Sequence, residues 1–536
     1  MKKFLCVILT IALLCAGCLA EGSQTPPEIP EGGMGDMTPP DMQGGMGGDG
    51  QMQTPPDMPE GEGGDMSGMG GMNGQNGMGD MNGQGGFGGM GDMNGQGGMG
   101  DMNGQGGIGD MGGMNGQMPG GMGGGMSGAP ESYDAVVTLT GGETRSEDVQ
   151  STGADESAVL SAGGENVLEN AAITRENDSS TGGDNSSFYG TGASVLVTEG
   201  TLSVNNCVIT ASAAGGAGVF AYGNGTAYVS DTTITTYMGT SGGIHVAGGG
   251  TLYAENLTVE TYGASSAAIR SDRGGGNMYV SGGSYTSNGT GSPAVYVTAD
   301  IQIENAVLTA TGSEALCLEG KNSVSLTNCA LSGAMKDDSQ NDNTWTVILY
   351  QSMSGDSEIG EGSFTMTGGS LSSSNGGLFY TTNTTSVFTV ENVSIEGEYD
   401  YFLRCTGNKN ARGWGSTGKN GAECRFNLVN QNANGDVIWD SISTLNLNLT
   451  SGSVLTGAII DDESCAGEGG SGACYVTLDE SSVWVVTADS VVTSISLNGG
   501  SLVDAEGNSV SVVNAEGEVL IDGTSAITVT AFAATR

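Results

Sequence analysis

Positive charge is the scarcest property of this chain. Its 536 residues hold 14 Lys and Arg and a single His against 60 Asp and Glu, a formal charge of −46. A nucleic-acid binder is excluded, because phosphate contacts need a basic footprint and this field repels a polyanion. Aromatic residues make up only 5%, while Gly reaches 99 positions, roughly two and a half times its usual share of about 7%. Such a balance argues against a compact helical enzyme. No Lys or Arg occurs between Lys3 and Arg145. The longest apolar run, Phe4 to Cys15, is too short to span a bilayer. The stretch from Ile527 to Arg536 shows neither a second hydrophobic segment nor a wall-sorting motif.

What is there begins with an export signal. Lys2 and Lys3 precede the apolar run, and residues 1–20 have the layout of a secretory signal peptide. Ala16, Gly17 and Cys18 resemble the end of a bacterial lipobox, with Cys15 where Leu is usual, so Cys18 is the expected lipidation site. Cleavage after Ala20 is the competing reading. Either way the chain is expected outside the cytoplasm, at the cell surface on a lipid anchor or secreted. Seven further Cys follow, and an oxidising compartment permits disulfides. Cys405 and Cys424 flank one Gly-rich loop, Cys465 and Cys474 another, so each pair is expected to staple its own excursion. Cys207, Cys317 and Cys329 read as small buried apolar residues.

Residues 21–130 are Gly, Met, Asp, Asn, Gln and Pro, with an imperfect nine-residue unit starting at Gly89. Lacking branched apolar side chains, this arm cannot offset its ordering entropy by burial and is expected to be a disordered acidic stalk. The carboxylates of the unit are misplaced for a calcium-binding nonapeptide repeat. Clustered thioethers can ligate Cu(I), but a flexible spacer is the simpler reading.

From Ser157 onward, short β-branched runs alternate with Gly, Asn, Ser and Asp. One turn position aligns as Asn206, Asp231, Asn256, Gly282, Asn305 and Asn328, at intervals of 25, 25, 26, 23 and 23. A strand-and-turn repeat of this period predicts a β-solenoid. Two residues before each turn stand Val204, Val229, Ala254, Val280, Ile303 and Leu326, and two before those Leu202, Ala227, Leu252, Met278, Ile301 and Val324. This alternation points both columns inward. A second strand supplies inward columns through Val219, Ile244, Ile269, Val295 and Leu316. The expected fold is all-β, a right-handed parallel β-helix over residues 134–530.

In the segments Ala268 to Gly275, Gly291 to Tyr296, Tyr350 to Asp356 and Leu478 to Trp484, the chain resembles the pectin-lyase-like β-helix superfamily, in particular its exported adhesin-like bacterial members. The resemblance implies the fold. It leaves the activity open, since the scaffold hosts lyases, hydrolases, esterases and binding proteins. Lyases of that superfamily use carboxylate-bound calcium with a basic residue, and its hydrolases use clustered Asp; no carboxylate triad falls on adjacent rungs here.

Residues between inward columns are expected at the surface. Tyr228, Tyr253 and Tyr279 form one such file, a candidate platform for sugar rings or a simple strand stack. The other reads Phe220, His245, Arg270, Tyr296 and Cys317, with Asp272 and Glu319 two residues on. It brings His245, Arg270, Asp272 and Tyr296 together as a candidate site for an acidic sugar or carboxylate, or for acid–base chemistry; a surface ion pair is the plainer account. Asp337, Asp338 and Asp342, and Asp461, Asp462 and Glu463, are acidic loop clusters able to attract calcium. No other cofactor is expected. The expected partner is an extracellular polysaccharide or surface protein, bound without turnover. Enzymatic cleavage of a polysaccharide and a structural surface-layer role are the alternatives.

Overall fold

The computed structural model describes residues 128–336, 341–352 and 354–536. The signal segment, Cys18, nearly all of the Gly/Met-rich arm, Asp337 and Asp338 lie outside the described residues.

Each coil lays down three short strands, as in Ile244–Ala247, Gly250–Glu255 and Thr258–Thr261. They pair in parallel with their equivalents one coil away: Ile244 with Ile269, Leu252 with Met278, Val259 with Tyr285. The fold is therefore a parallel β-helix. Strands of the first and second faces merge into a 25-stranded sheet, because Ser157–Glu169, Val195–Asn205 and Val219–Ser230 run on across both, and the third face begins as a 10-stranded sheet. Antiparallel pairing among the described strands is confined to the last part of the chain, between Val503 and Ile521.

The inward columns are dry. Leu202, Leu252, Met278, Ile301 and Val324 are all buried, as are Val219, Ile244, Ile269, Val295 and Leu316. Each fully buried Leu, Ile or Val contributes about 1.5–3 kcal/mol, so stacked coils stabilise one another where an isolated coil has no core. Farther along, Phe388 stacks on Phe426 at 5.1 Å, and Phe379 packs edge-on against both.

The recurrent turn works through backbone conformation. Asn206, Asp231, Asn256, Asn305 and Asn328 sit at φ between 47° and 56°, a left-handed region that Asn, Asp and Gly tolerate best. Gly282 takes the same place at φ 68°, where an added Cβ would lie 2.7 Å from Asn256 Oδ1. The Asn206 amide donates to Asn170 Oδ1 at 2.8 Å, a rung of the expected amide ladder.

Two expectations are corrected. The outer column of the first face is interior, with Phe220, His245, Arg270, Asp272, Tyr296 and Cys317 all buried. A short helix α1 (Asp184–Tyr189), the segment around Ser352 to Asp356 and the loop carrying Trp414 are laid over it. These excursions follow no coil period, so column arithmetic does not reveal them. The seven described cysteines are buried free thiols, Cys405, Cys424, Cys465 and Cys474 among them. Cys405 and Cys424 do meet, but inside the core: they succeed Thr381 and Ser386, whose hydroxyls lie 2.9 Å apart one coil earlier. The hydrogen bond with Cys424 and burial both push the Cys405 thiol up. Neither pair staples a loop.

Candidate functional site

Tyr228, Tyr253 and Tyr279 stand in register on the second face. Parallel strands repeat at about 4.8 Å, which stacks the rings at centroid distances of 4.7 and 4.9 Å with planes 5° and 13° apart. The stack has a chemical consequence. The inner ring faces are occupied by the neighbouring ring, so the file offers solvent its edges and hydroxyls more than open platforms. Beside it runs a shallow groove of about 740 Å³, lined by the three tyrosines, Gln302, Ser325 and the carboxylates Glu255 and Glu304. The stack holds the tyrosines in place before any ligand arrives, which lowers the entropy lost on binding.

The His245 cluster is built differently. Arg270 donates from Nε and Nη2 to Asp272 Oδ2, both at 2.8 Å, from Nη2 to Ser187 Oγ of α1 at 2.8 Å, and from Nη1 to the Ser265 carbonyl. Arg273 lies over the Phe188 ring of α1 at 4.1 Å and binds Asp356 at 2.6 Å. The two guanidinium groups thus bolt α1 and the Asp356 segment to the first face. His245 Nε2 sits 3.4 Å from Asp272 Oδ2, its ring centroid 4.0 Å from that of Phe220. Burial, opposed by the Asp272 contact and reinforced by Arg270, pulls the His245 pKa down to about 4. Burial pushes Asp272 up, but Arg270 and His245 outweigh it and leave the carboxylate below its usual range. Tyr296 and Tyr350 donate to Glu319 Oε2 at 3.2 and 3.0 Å, and burial raises the Glu319 pKa. Arg270 is spent within the protein, and among the described residues His245, Arg270, Asp272 and Tyr296 are all buried away from an approaching saccharide.

The acidic loops are committed as well. Asp342 accepts from the Lys409 amide at 2.6 Å. Asp462 pairs with Arg404 at 2.6 Å and caps Ser464, while Glu463 accepts the Ser441 amide and hydroxyl. Partial burial and a hydrogen bond with Glu463 raise Asp461 to about 6. Among the described residues no three His, Cys, Asp or Glu side chains converge as a metal site.

Two aromatic features escaped the sequence reading. Tyr237 and Tyr262 stack at 5.4 Å, both exposed, beyond the third face; their 25-residue separation was the available signal. Trp414 packs 4.4 Å from Tyr350 and 6.1 Å from Trp345 under the loop that carries it, a contact between coils that nothing in the spacing announces.

No family model, curated protein or solved structure matches the chain.

Proposed function

We propose that this protein is an exported, adhesin-like β-helix that binds an extracellular glycan, or a glycan-bearing surface, on its second face without turnover. The signal-like residues 1–20 and Cys18 support a lipid-anchored place at the cell surface. The observation that carries the reading is the groove beside the stacked Tyr228, Tyr253 and Tyr279, an open site on which prepositioned aromatic edges and hydroxyls converge with amide and carboxylate groups. Protein–carbohydrate contact needs such a mixture of apolar edge and fixed polar groups. The first face, where acid–base groups do gather, is sealed beneath α1, which favours binding over cleavage.

Retention on a glycan array, or on a matrix of host-surface material, tests this. Tyr253→Ala and Tyr279→Ala should each lower retention about tenfold, a loss of roughly 1.4 kcal/mol, without moving the melting temperature by more than a few degrees. Undiminished retention by the double variant, or release of new reducing ends from the retained glycan, would refute the reading.

A further inference from the structure

The tyrosines are the first part of something longer. Their file continues in strict register beyond Tyr279 as Gln302, Ser325, Thr365, Thr389, Asn427 and Asn448. Thr477 and Ser496 follow it, and Ser203 precedes Tyr228. None of these residues is fully buried. Eleven rung steps separate Ser203 from Ser496, which at about 4.8 Å each is a straight line of about 50 Å.

The file holds no charged side chain. That is notable on a molecule of formal charge −46, and the more so because charges border it closely. Glu255, Glu304 and Glu391 stand two residues to one side, Asp300 and Arg425 two residues to the other. Every position in between carries a hydroxyl or an amide, groups able to donate and to accept. The two asparagine amides are held: Asn448 Nδ2 donates to Asn427 Oδ1 at 3.0 Å, and Asn427 Nδ2 to Thr389 Oγ1 at 3.3 Å. From Thr389 to Asn448 each such bond orients the next group, so that part of the line is prearranged and polarised.

We infer that the ligand of this face is an uncharged, linear polysaccharide lying parallel to the coil axis, contacting the whole file and not only the tyrosine groove. A polyanion would be repelled by the bordering carboxylates and the whole-molecule field. A compact ligand would have no use for a repeated, neutral donor–acceptor line extending well past the groove. A linear chain of neutral sugars presents hydroxyls at a repeat close to the rung spacing, so successive sugars meet successive rungs, each contact weak and the sum strong. This inference rests on the glycan-binding reading above and adds the charge, shape and direction of the ligand.

Titration calorimetry of the full chain with cello-, manno-, xylo- and chito-oligosaccharides of increasing length tests it, with polygalacturonate as the charged counterpart. Affinity for one of the neutral series should keep rising with length beyond what the tyrosine groove accommodates, by roughly tenfold or more overall. Asn448→Asp, nearly isosteric and far from the tyrosines, should weaken the long oligosaccharides several-fold and leave the shortest bound ones unchanged, with Asn448→Gln as the neutral control. Affinity that stops rising at groove length, indifference of long chains to Asn448→Asp, or equal binding of polygalacturonate overturns the inference while the glycan-binding reading survives. Absence of binding to all sugars in the panel and on the array overturns that reading itself, and the inference with it.

Discussion

His245 packs at a tilt against Phe220 in the dry layer beneath α1, next to Asp272 and Arg270, and burial holds its pKa at about 4. In the unfolded chain an ordinary His takes its proton at about pH 6.5. Above that pH the residue is neutral in both states and the stability is complete. Below it the unfolded state binds a proton that the folded state refuses, so stability falls with pH down to about 4, by about 3 kcal/mol across the window. Urea unfolding at neutral pH and near pH 4 measures this. His245→Phe, which keeps a ring against Phe220, should remove most of that slope; an equal slope in the variant would show that another group sets it. Residue-scale reasoning also accounts for the turn. Asn305 holds φ 56°, so Asn305→Val should cost about 1–2 kcal/mol while Asn305→Gly stays near neutral, as read from denaturant midpoints.

At the scale of elements, the strands are made interchangeable by their inward columns and distinct by what lies outside them. Phe388 and Phe426 occupy equivalent positions on neighbouring coils and bury completely. Removing one leaves a void that flanking strands, held in register by their own ladders, cannot close. Phe388→Ala should therefore cost about 3–5 kcal/mol, measured by chemical denaturation. The helix α1 illustrates the opposite case. It is only six residues long, closed at its end by Gly190 in the left-handed conformation at φ 76°, and such a helix is not stable alone. Its position comes from Ser187 on Arg270 and from Phe188 under Arg273. Those contacts turn what the period assigns to solvent into a second, thinner core on the first face.

For the molecule as a whole, charge decides which partners approach. With a formal charge of −46, the surface should reject heparin and polygalacturonate at low ionic strength, where screening is weakest. Binding of a neutral glycan should change little between low and high salt. A surface-retention assay run in both conditions checks the two statements together, and retention of a polyanion at low salt that is lost at high salt would contradict the first. Regular stacking also gives the surface continuous files, so a binding face can be as long as the coil without any deep pocket.

The coil itself was legible from the residues, because a β-helix writes its geometry into the chain as a period. Asn206, Asp231, Asn256, Asn305 and Asn328 recur for a local reason, the left-handed turn, and Val204, Val229 and Val280 recur because each strand alternates sides. Both are properties of a few neighbouring residues and need no knowledge of the rest of the molecule. The tyrosine stack was legible on the same ground. Whether an outward residue meets water was not, since that depends on segments that leave the coil and return far along the chain. Arg270 and His245 are interior because Ser187 of α1 lies 83 positions before Arg270 and yet over it. The alternation along a strand is settled by sequence, and the cover over a face is settled by long-range contact, where burial of Phe188, Tyr296 and Tyr350 between the face and its returning segments offsets the entropy of folding an excursion back.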